Sequence, residues 1–212
     1  MKKKNTNKFD SDLKWGQFIE WETIPFIEKT FNEVLIKRGE KMRFIQENIS
    51  TKKNELKKWD LKFGIYKDGS PFLEREIYFE IKGDKFDETG NLFFEKSCSK
   101  KDSGVFATEA NFFVYFLPRY KSKNFYLVKP KDLIELLTTK YASCLSYDGG
   151  DGGRVLSYLV TKSDFDEDFV KVGKLLDCSI TIPDYFGLEK FKEKSKTTYQ
   201  SDFLKCYENP LD

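Results

Sequence analysis

The sequence predicts an α/β domain with a mixed central β-sheet flanked by helices. Three observations predict it. A stretch of helical periodicity runs from Asp10 to about Lys37. Two alternating segments, 59–66 and 76–82, are joined by a turn containing Asp68-Gly69. A strand, strand, helix run then follows over residues 112–140. At roughly 100–200 residues per domain, 212 residues make one elaborated domain, and no repeat or linker divides it. Residues 1–9 are expected to be a flexible basic arm. Residues 10–212 form the single domain, with a core over about 12–140 and a C-terminal elaboration over 141–212.

In the first helix Leu13, Ile19, Phe26, Ile27, Phe31, Val34 and Leu35 recur at spacings of about 3.6. Pro25 is expected to kink this helix or to start a second one. Gly39 is its stop. Residues 41–49 fit a short strand or a helical turn, and 50–58 read as a polar loop. In 59–66, Trp59, Leu61, Phe63 and Ile65 alternate with Asp60, Lys62, Gly64 and Tyr66. In 76–82, Ile77, Phe79 and Ile81 take one face, and Tyr78, Glu80 and Lys82 the other. Residues 91–96 are a third strand, expected to complete a three-stranded meander. Residues 112–117 form a buried strand ended by Pro118, and 124–128 form another. Pro130 opens a helix to about Lys140. A glycine-rich loop over 147–153 precedes a strand over 155–160. Asp164 to Asp168 is an acidic stretch, and a last helix is expected over 185–196.

Composition excludes several chemistries. There is no histidine, so a Ser-His-Asp triad, a Cys-His pair and any histidine metal ligand are ruled out. Four cysteines, Cys98, Cys144, Cys178 and Cys206, form no Cys-x-x-Cys pair and read as reduced thiols. Thirty-seven basic residues against 35 acidic ones leave a net charge of +2, too little for a nucleic-acid coat. No apolar run approaches the roughly 20 residues of a membrane span, and the N-terminus lacks the apolar segment of a signal peptide. A cytoplasmic protein without membrane partners is expected. Gly149-Gly-Asp-Gly-Gly-Arg154 lacks the Gly-Lys-Ser/Thr ending of a phosphate-binding loop.

One constellation carries chemistry. Glu80 and Lys82, two apart on a strand, point to the same face. Asp60 is opposite in parity to the apolar set of its own strand and can reach that face too. Two carboxylates and an ammonium then converge on the sheet surface. This fits metal-assisted phosphodiester hydrolysis: carboxylates hold Mg²⁺, the metal lowers the pKa of a bound water, and lysine offsets charge on the phosphorane. The alternative for Glu80 and Lys82 is an exposed charge pair on a half-solvated sheet.

Trp59-Asp60, a hairpin and Glu80-Ile-Lys82 resemble the PD-(D/E)xK nuclease superfamily, the restriction-endonuclease-like fold. Gly16-Gln-Phe-Ile-Glu20 is similar to the family's helix-borne Gly-x-x-x-Glu. The runs Glu80-Ile-Lys-Gly-Asp-Lys85, Thr89-Gly-Asn-Leu-Phe-Phe-Glu95, Ser103-Gly-Val105 and Thr108 to Tyr115 resemble small phage-type members, as does Gly149 to Gly153 before Tyr158-Leu-Val160. The residue before Asp60 is Trp59 and not proline, as in divergent members.

The resemblance implies a restriction-endonuclease-like core and a Mg²⁺- or Mn²⁺-dependent nuclease. It implies that Asp60, Glu80 and the Ile81 carbonyl bind the metal, that Lys82 positions the attacking water, and that Glu20 completes the site. Glu22 and Glu28 rival Glu20, and Glu95 is a second-tier candidate. Lys100, Lys101, Ser103, Arg119, Lys121 and Lys123 are candidates for nucleic-acid contact, each balanced by an ordinary surface role. DNA is the expected partner, with RNA as a further substrate. Such nucleases often act as dimers, which admits a homodimer. A phage origin would place the chain in the host cytoplasm. The alternative keeps the fold without catalysis, as a nucleic-acid- or protein-binding module such as a phage anti-defence factor.

Overall fold

A computed structural model describes residues 6–49, 58–85, 89–120, 122–147 and 154–183. Helix α1 spans Thr6–Lys37 and is followed by strands β1 (Met42–Ile49), β2 (Leu61–Lys67) and β3 (Leu73–Gly83). Strands β4 (Asn91–Cys98) and β5 (Lys101–Asp102) come next, then a 3-10 turn over Gly104–Phe106. Strands β6 (Phe112–Phe116) and β7 (Phe125–Val128) lead to helix α2 (Pro130–Thr139). Strands β8 (Leu145–Ser146) and β9 (Val155–Thr161), helix α3 (Lys162–Phe169) and strand β10 (Lys174–Leu176) end the described fold. The main sheet has the order β1-β2-β3-β6-β7-β10, and a second sheet the order β5-β4-β9-β8. In the main sheet only β3 and β6 run parallel, so the sheet is mixed as expected.

Three sequence expectations are corrected. The meander is β1-β2-β3, since residues 42–49 form the first strand. Residues 91–98 leave it and pair with β9. The reason is that Leu92 and Phe94 bury in a different core from Ile77 and Phe79. Residues 6–9 are helical, not part of a flexible arm. Helix α1 also runs through Pro25 as one element, so Pro25 does not start a second helix. Pro25 and Trp21, whose carbonyl loses its partner, both lie on the exposed face, where water replaces the missing donor. Gly39 does end the helix. At φ 69° it lets Glu40 N–H reach Leu35 O at 3.0 Å and its own N–H reach Ile36 O at 2.9 Å. The acidic stretch at Asp164 to Asp168 lies in α3. The helix expected over 185–196 and most of the glycine-rich loop lie outside the described residues. Among the described residues no helix is long and apolar enough to cross a membrane.

Strand parity sorts the apolar residues into two cores. Phe63 and Phe79 join Val114, Phe116, Phe125 and Leu127 beneath α1, which contributes Trp15, Ile19 and Ile27. Phe44 stacks between Phe31 and Phe63, with ring centroids at 4.6 and 4.7 Å. On the opposite face Phe113, Tyr115, Tyr126 and Val128 meet Leu92, Phe94, Tyr158 and Val160 of the second sheet. Leu133 and Leu137 of α2 and Phe165 and Phe169 of α3 close that core. This second core takes no residue from β1, β2 or β3. Among the described residues the main sheet is thus packed by a core on both faces at β6 and β7, and by the α1 core alone at β1 to β3.

Helix α1 also closes the sheet's edge. Asn32 accepts the N–H of Phe44 at 2.8 Å and donates to its carbonyl at 2.9 Å. Glu28 accepts the N–H of Gln46 at 2.7 Å. These are outward-facing backbone groups of an edge strand, the groups that otherwise recruit a foreign strand.

Candidate active site

Asp60 is the residue before β2. Its N–H donates to Phe79 O at 2.8 Å, continuing the ladder by one bond. Its side chain then replaces the next backbone partner, with Oδ2 accepting Ile81 N–H at 2.7 Å. In an extended strand a residue's C=O lies on the same edge as its N–H. The Ile81 carbonyl therefore opens toward Asp60. The approach to Asp60 is pinned from the segment ahead of β6. Lys58 pairs with Glu109 at 2.7 Å, and its carbonyl accepts from Glu109 N–H at 2.9 Å and from the Thr108 hydroxyl at 2.8 Å.

Glu80 and Lys82 leave β3 on the face away from α1, because Phe79 bears on the α1 core. Glu80 is half-buried and Lys82 exposed. The Thr108 hydroxyl reaches Glu80 Oε2 at 3.2 Å and accepts Ala110 N–H at 3.1 Å. Thr108 thus links Glu80 to the backbone that holds Asp60.

Glu20 arrives from α1 through a close helix–strand approach. A Cβ on Gly83 would lie 2.6 Å from Ile19 Cγ1. Trp15 Nε1 donates to Gly83 O at 2.9 Å. Lys85 pairs with Asp12 at 2.6 Å and lies 5.8 Å from the centre of the Trp15 ring. These contacts set the depth of the helix at the residue before Glu20.

Each of the three carboxyls is shifted by burial and by the charge of at least one other member of the set. Burial raises Glu20 to about 7, and the charge of Asp60 adds to the rise. Burial raises Asp60 to about 6 against the Ile81 N–H bond and the Lys82 charge, which pull it down. Burial raises Glu80 to about 8, assisted by Asp60 and Glu20 and opposed by Thr108 and Lys82. All three carboxyls are pushed up first by lost water, and Glu20 and Glu80 further by the neighbouring carboxylates. The set carries an excess of negative charge in a poorly hydrated place, with one lysine beside it. Perturbed carboxyls clustered in this way are the pattern of a functional site.

The other candidates fall elsewhere. Glu28 is spent on Gln46, and Glu22 lies near Cys178, whose thiol burial raises and the Glu22 charge raises further. Glu95 sits on β4 opposite Ser157, in the second sheet. Lys100 and Lys101 lie at the β4–β5 turn of that sheet, where Lys100 has φ 67°. Ser103 precedes the 3-10 turn and donates its N–H to Lys96 O at 3.0 Å. Arg119 and Lys123 lie in the β6–β7 turn of the main sheet, and Lys121 is outside the described residues. The basic candidates are therefore divided between turns of two sheets. A cavity of about 380 Å³ lies at Lys140, Cys144 and Asp168, away from the carboxylates, and Asp168 there is ion-paired with Lys140 and Lys171.

Thr108 is not one of the named candidates, although the resemblance implies that the segment Ser103 to Ala110, which contains it, lies beside the active site. Its segment was visible as a connector, but a hydroxyl becomes a site residue only through the strand it lands beside.

Known proteins offer no match. No family model, curated protein or solved structure is similar to this chain.

The donor set suits a hard cation, being all oxygen: carboxylates and a strand carbonyl. Among the described residues no three His, Cys, Asp or Glu side chains stand in a metal-holding cluster. The pair Asp60 and Glu80 with the Ile81 carbonyl needs only two such side chains, and Mg²⁺ commonly takes one or two carboxylates and completes its shell with water.

Proposed function

We propose that this chain is a Mg²⁺- or Mn²⁺-dependent nuclease that hydrolyses phosphodiester bonds in DNA, on a restriction-endonuclease-like core. The observation that carries the reading is the convergence of Glu20, Asp60, Glu80 and Lys82 from three separate segments onto one half-buried place. Order along the chain adds support: a helix bearing Glu20, a three-stranded meander bearing the other three, then a strand parallel to β3.

Asp60, Glu80 and the Ile81 carbonyl are the groups that would hold the metal, which when bound supplies Lewis acidity and an activated water. Repulsion among Glu20, Asp60 and Glu80 makes the site a strong attractor for a cation. Asp60 is held by Ile81 N–H, so one carboxylate oxygen is fixed and the other faces the site. Thr108 orients Glu80 in the same way. Lys82, exposed beside both, meets a substrate phosphate, orients the attacking water and offsets charge developing on phosphorus. Glu20 approaches from the helix side and holds a proton near neutral pH, which suits exchange with water at the site.

The test is cleavage of supercoiled, linear, single-stranded and branched DNA with Mg²⁺, Mn²⁺ or chelator, run beside Lys82→Ala and Asp60→Asn. Cleavage that needs metal and falls by about 10²–10³ in both variants is the expected result. A metal-independent product, or full activity in either variant, overturns the reading. So does the absence of cleavage together with a melting temperature unmoved by Mn²⁺, which leaves a binding module.

A further inference from the structure

Trp59 and Tyr78 are large aromatic residues that neither core uses. Their ring centroids lie 5.2 Å apart at 48°, and both are half-buried. Trp59 directly precedes Asp60. Tyr78 precedes Glu80 by two residues, so pleating puts it on the same face, about 7 Å along the strand. That face of β1 to β3 takes no part in the second core. The backbone at Tyr78 is held on both sides: its N–H donates to Asn111 Oδ1 at 2.8 Å, and its C=O accepts Asn111 N–H at 2.9 Å. The Tyr78 hydroxyl donates to Glu76, which Lys62 holds at 3.0 Å, so the ring is tethered at its outer end too. A fixed aromatic pair that lies outside both cores among the described residues, one pleat from the carboxylates, is placed to act as a stacking surface.

We propose that Trp59 and Tyr78 form a platform on which an unpaired nucleobase next to the reacting phosphate stacks, so that the site takes single-stranded DNA. This rests on the phosphodiesterase reading of the same site. One pleat is about the reach from a phosphate to its own base. Bases inside a duplex have both faces covered by their neighbours, whereas a single strand offers a free π-face to an aromatic side chain. A duplex is gripped through its phosphates, while stacking lets a strand bind with few of them.

The experiment is binding of a fluorescein-labelled thymidine oligonucleotide in chelator, read by anisotropy for the full chain. Trp59→Leu and Tyr78→Leu are each expected to weaken binding roughly five- to hundredfold, and Trp59→Phe to retain most of it. An abasic strand of equal length and a hairpin duplex are expected to bind weakly, and alike in all variants. Single-strand binding that is unchanged in both leucine variants overturns the platform. A duplex bound as tightly as the strand, with the same dependence on Trp59, also overturns it. Should a leucine variant fail to fold, quenching of Trp59 emission by the unlabelled strand, taken as the difference between wild type and Trp59→Phe, decides: no quenching overturns the proposal. No arm requires cleavage, so failure of the platform and failure of the nuclease reading are seen separately.

Discussion

Strands β3 and β6 run side by side in parallel register and show the same face of one sheet two different environments. Glu80 stands opposite Phe113 and Lys82 opposite Tyr115. On β6 those positions are covered by the second sheet, and Phe113 and Tyr115 are buried. On β3 the cover stops, and the same positions carry a carboxylate and an ammonium. The candidate site therefore lies on the border of the second core, where its carboxylates lose much of their water. Their raised pKa values follow from that border position.

The contrast predicts opposite responses to substitution of neighbours. Phe113→Ala removes a buried ring from the second core and should cost about 3–5 kcal/mol, read by urea unfolding. Glu80→Gln, one strand away, should cost nothing at pH 8 or stabilise the protein, while abolishing metal-dependent cleavage. Equal destabilisation by both would erase the distinction between the two strands.

The pH dependence of stability sharpens it. Glu80 is raised from 4.5 to about 8 on folding, Glu20 from 4.5 to about 7 and Asp60 from 3.8 to about 6. A folded state that holds protons more tightly than the unfolded one loses stability as pH rises. The full benefit is present below about pH 4 and is lost progressively up to about pH 8. For the metal-free protein the melting temperature should fall across this window. Glu80→Gln should flatten the fall, and Mn²⁺ should restore stability most at the alkaline end. A melting temperature that rises from pH 5 to pH 8 in chelator would contradict the carboxylate cluster.

Gly83→Ala tests how the helix side of the site is set. The added Cβ meets Ile19 at 2.6 Å, at Cγ1 and not at a flexible tip, so α1 must shift. A loss of about 1–3 kcal/mol is expected. Activity should fall further than in Gly16→Ala, where the added carbon stands 3.9 Å from Glu20 Oε1, an ordinary contact.

Much of the site was legible because strand parity is local. Alternation in 59–66 and 76–82 placed Asp60, Glu80 and Lys82 on one face before any partner strand was known, and the resemblance of Gly16 to Glu20 to a helix-borne Gly-x-x-x-Glu favoured Glu20 over Glu22 and Glu28. The β4 excursion was not legible. Asn91 to Lys96 has the composition of any meander strand, and only the burial of Leu92 and Phe94 against Tyr158 and Phe165, distant in sequence, draws it into a second sheet. Strand β1 was ambiguous for a similar reason: its edge is completed by Asn32 and Glu28, which lie on a helix. The basic candidates were legible only one by one, because spacing along loops does not say which turns meet.

Thr108 offers the smallest and most discriminating test, because it joins the two halves of the contrast. It belongs to the lead into β6, yet its hydroxyl serves Glu80 on β3 and the Lys58 carbonyl before Asp60. Thr108→Val keeps the shape and removes the hydroxyl. A net loss of about 1 kcal/mol follows from the broken bonds. The bond from Thr108 lowers the pKa of Glu80, so its loss should push Glu80 further up. The alkaline end of the pH–stability window should then move to higher pH in the metal-free variant. A role confined to bracing the loop would lower stability by the same amount at every pH and leave that window where it is.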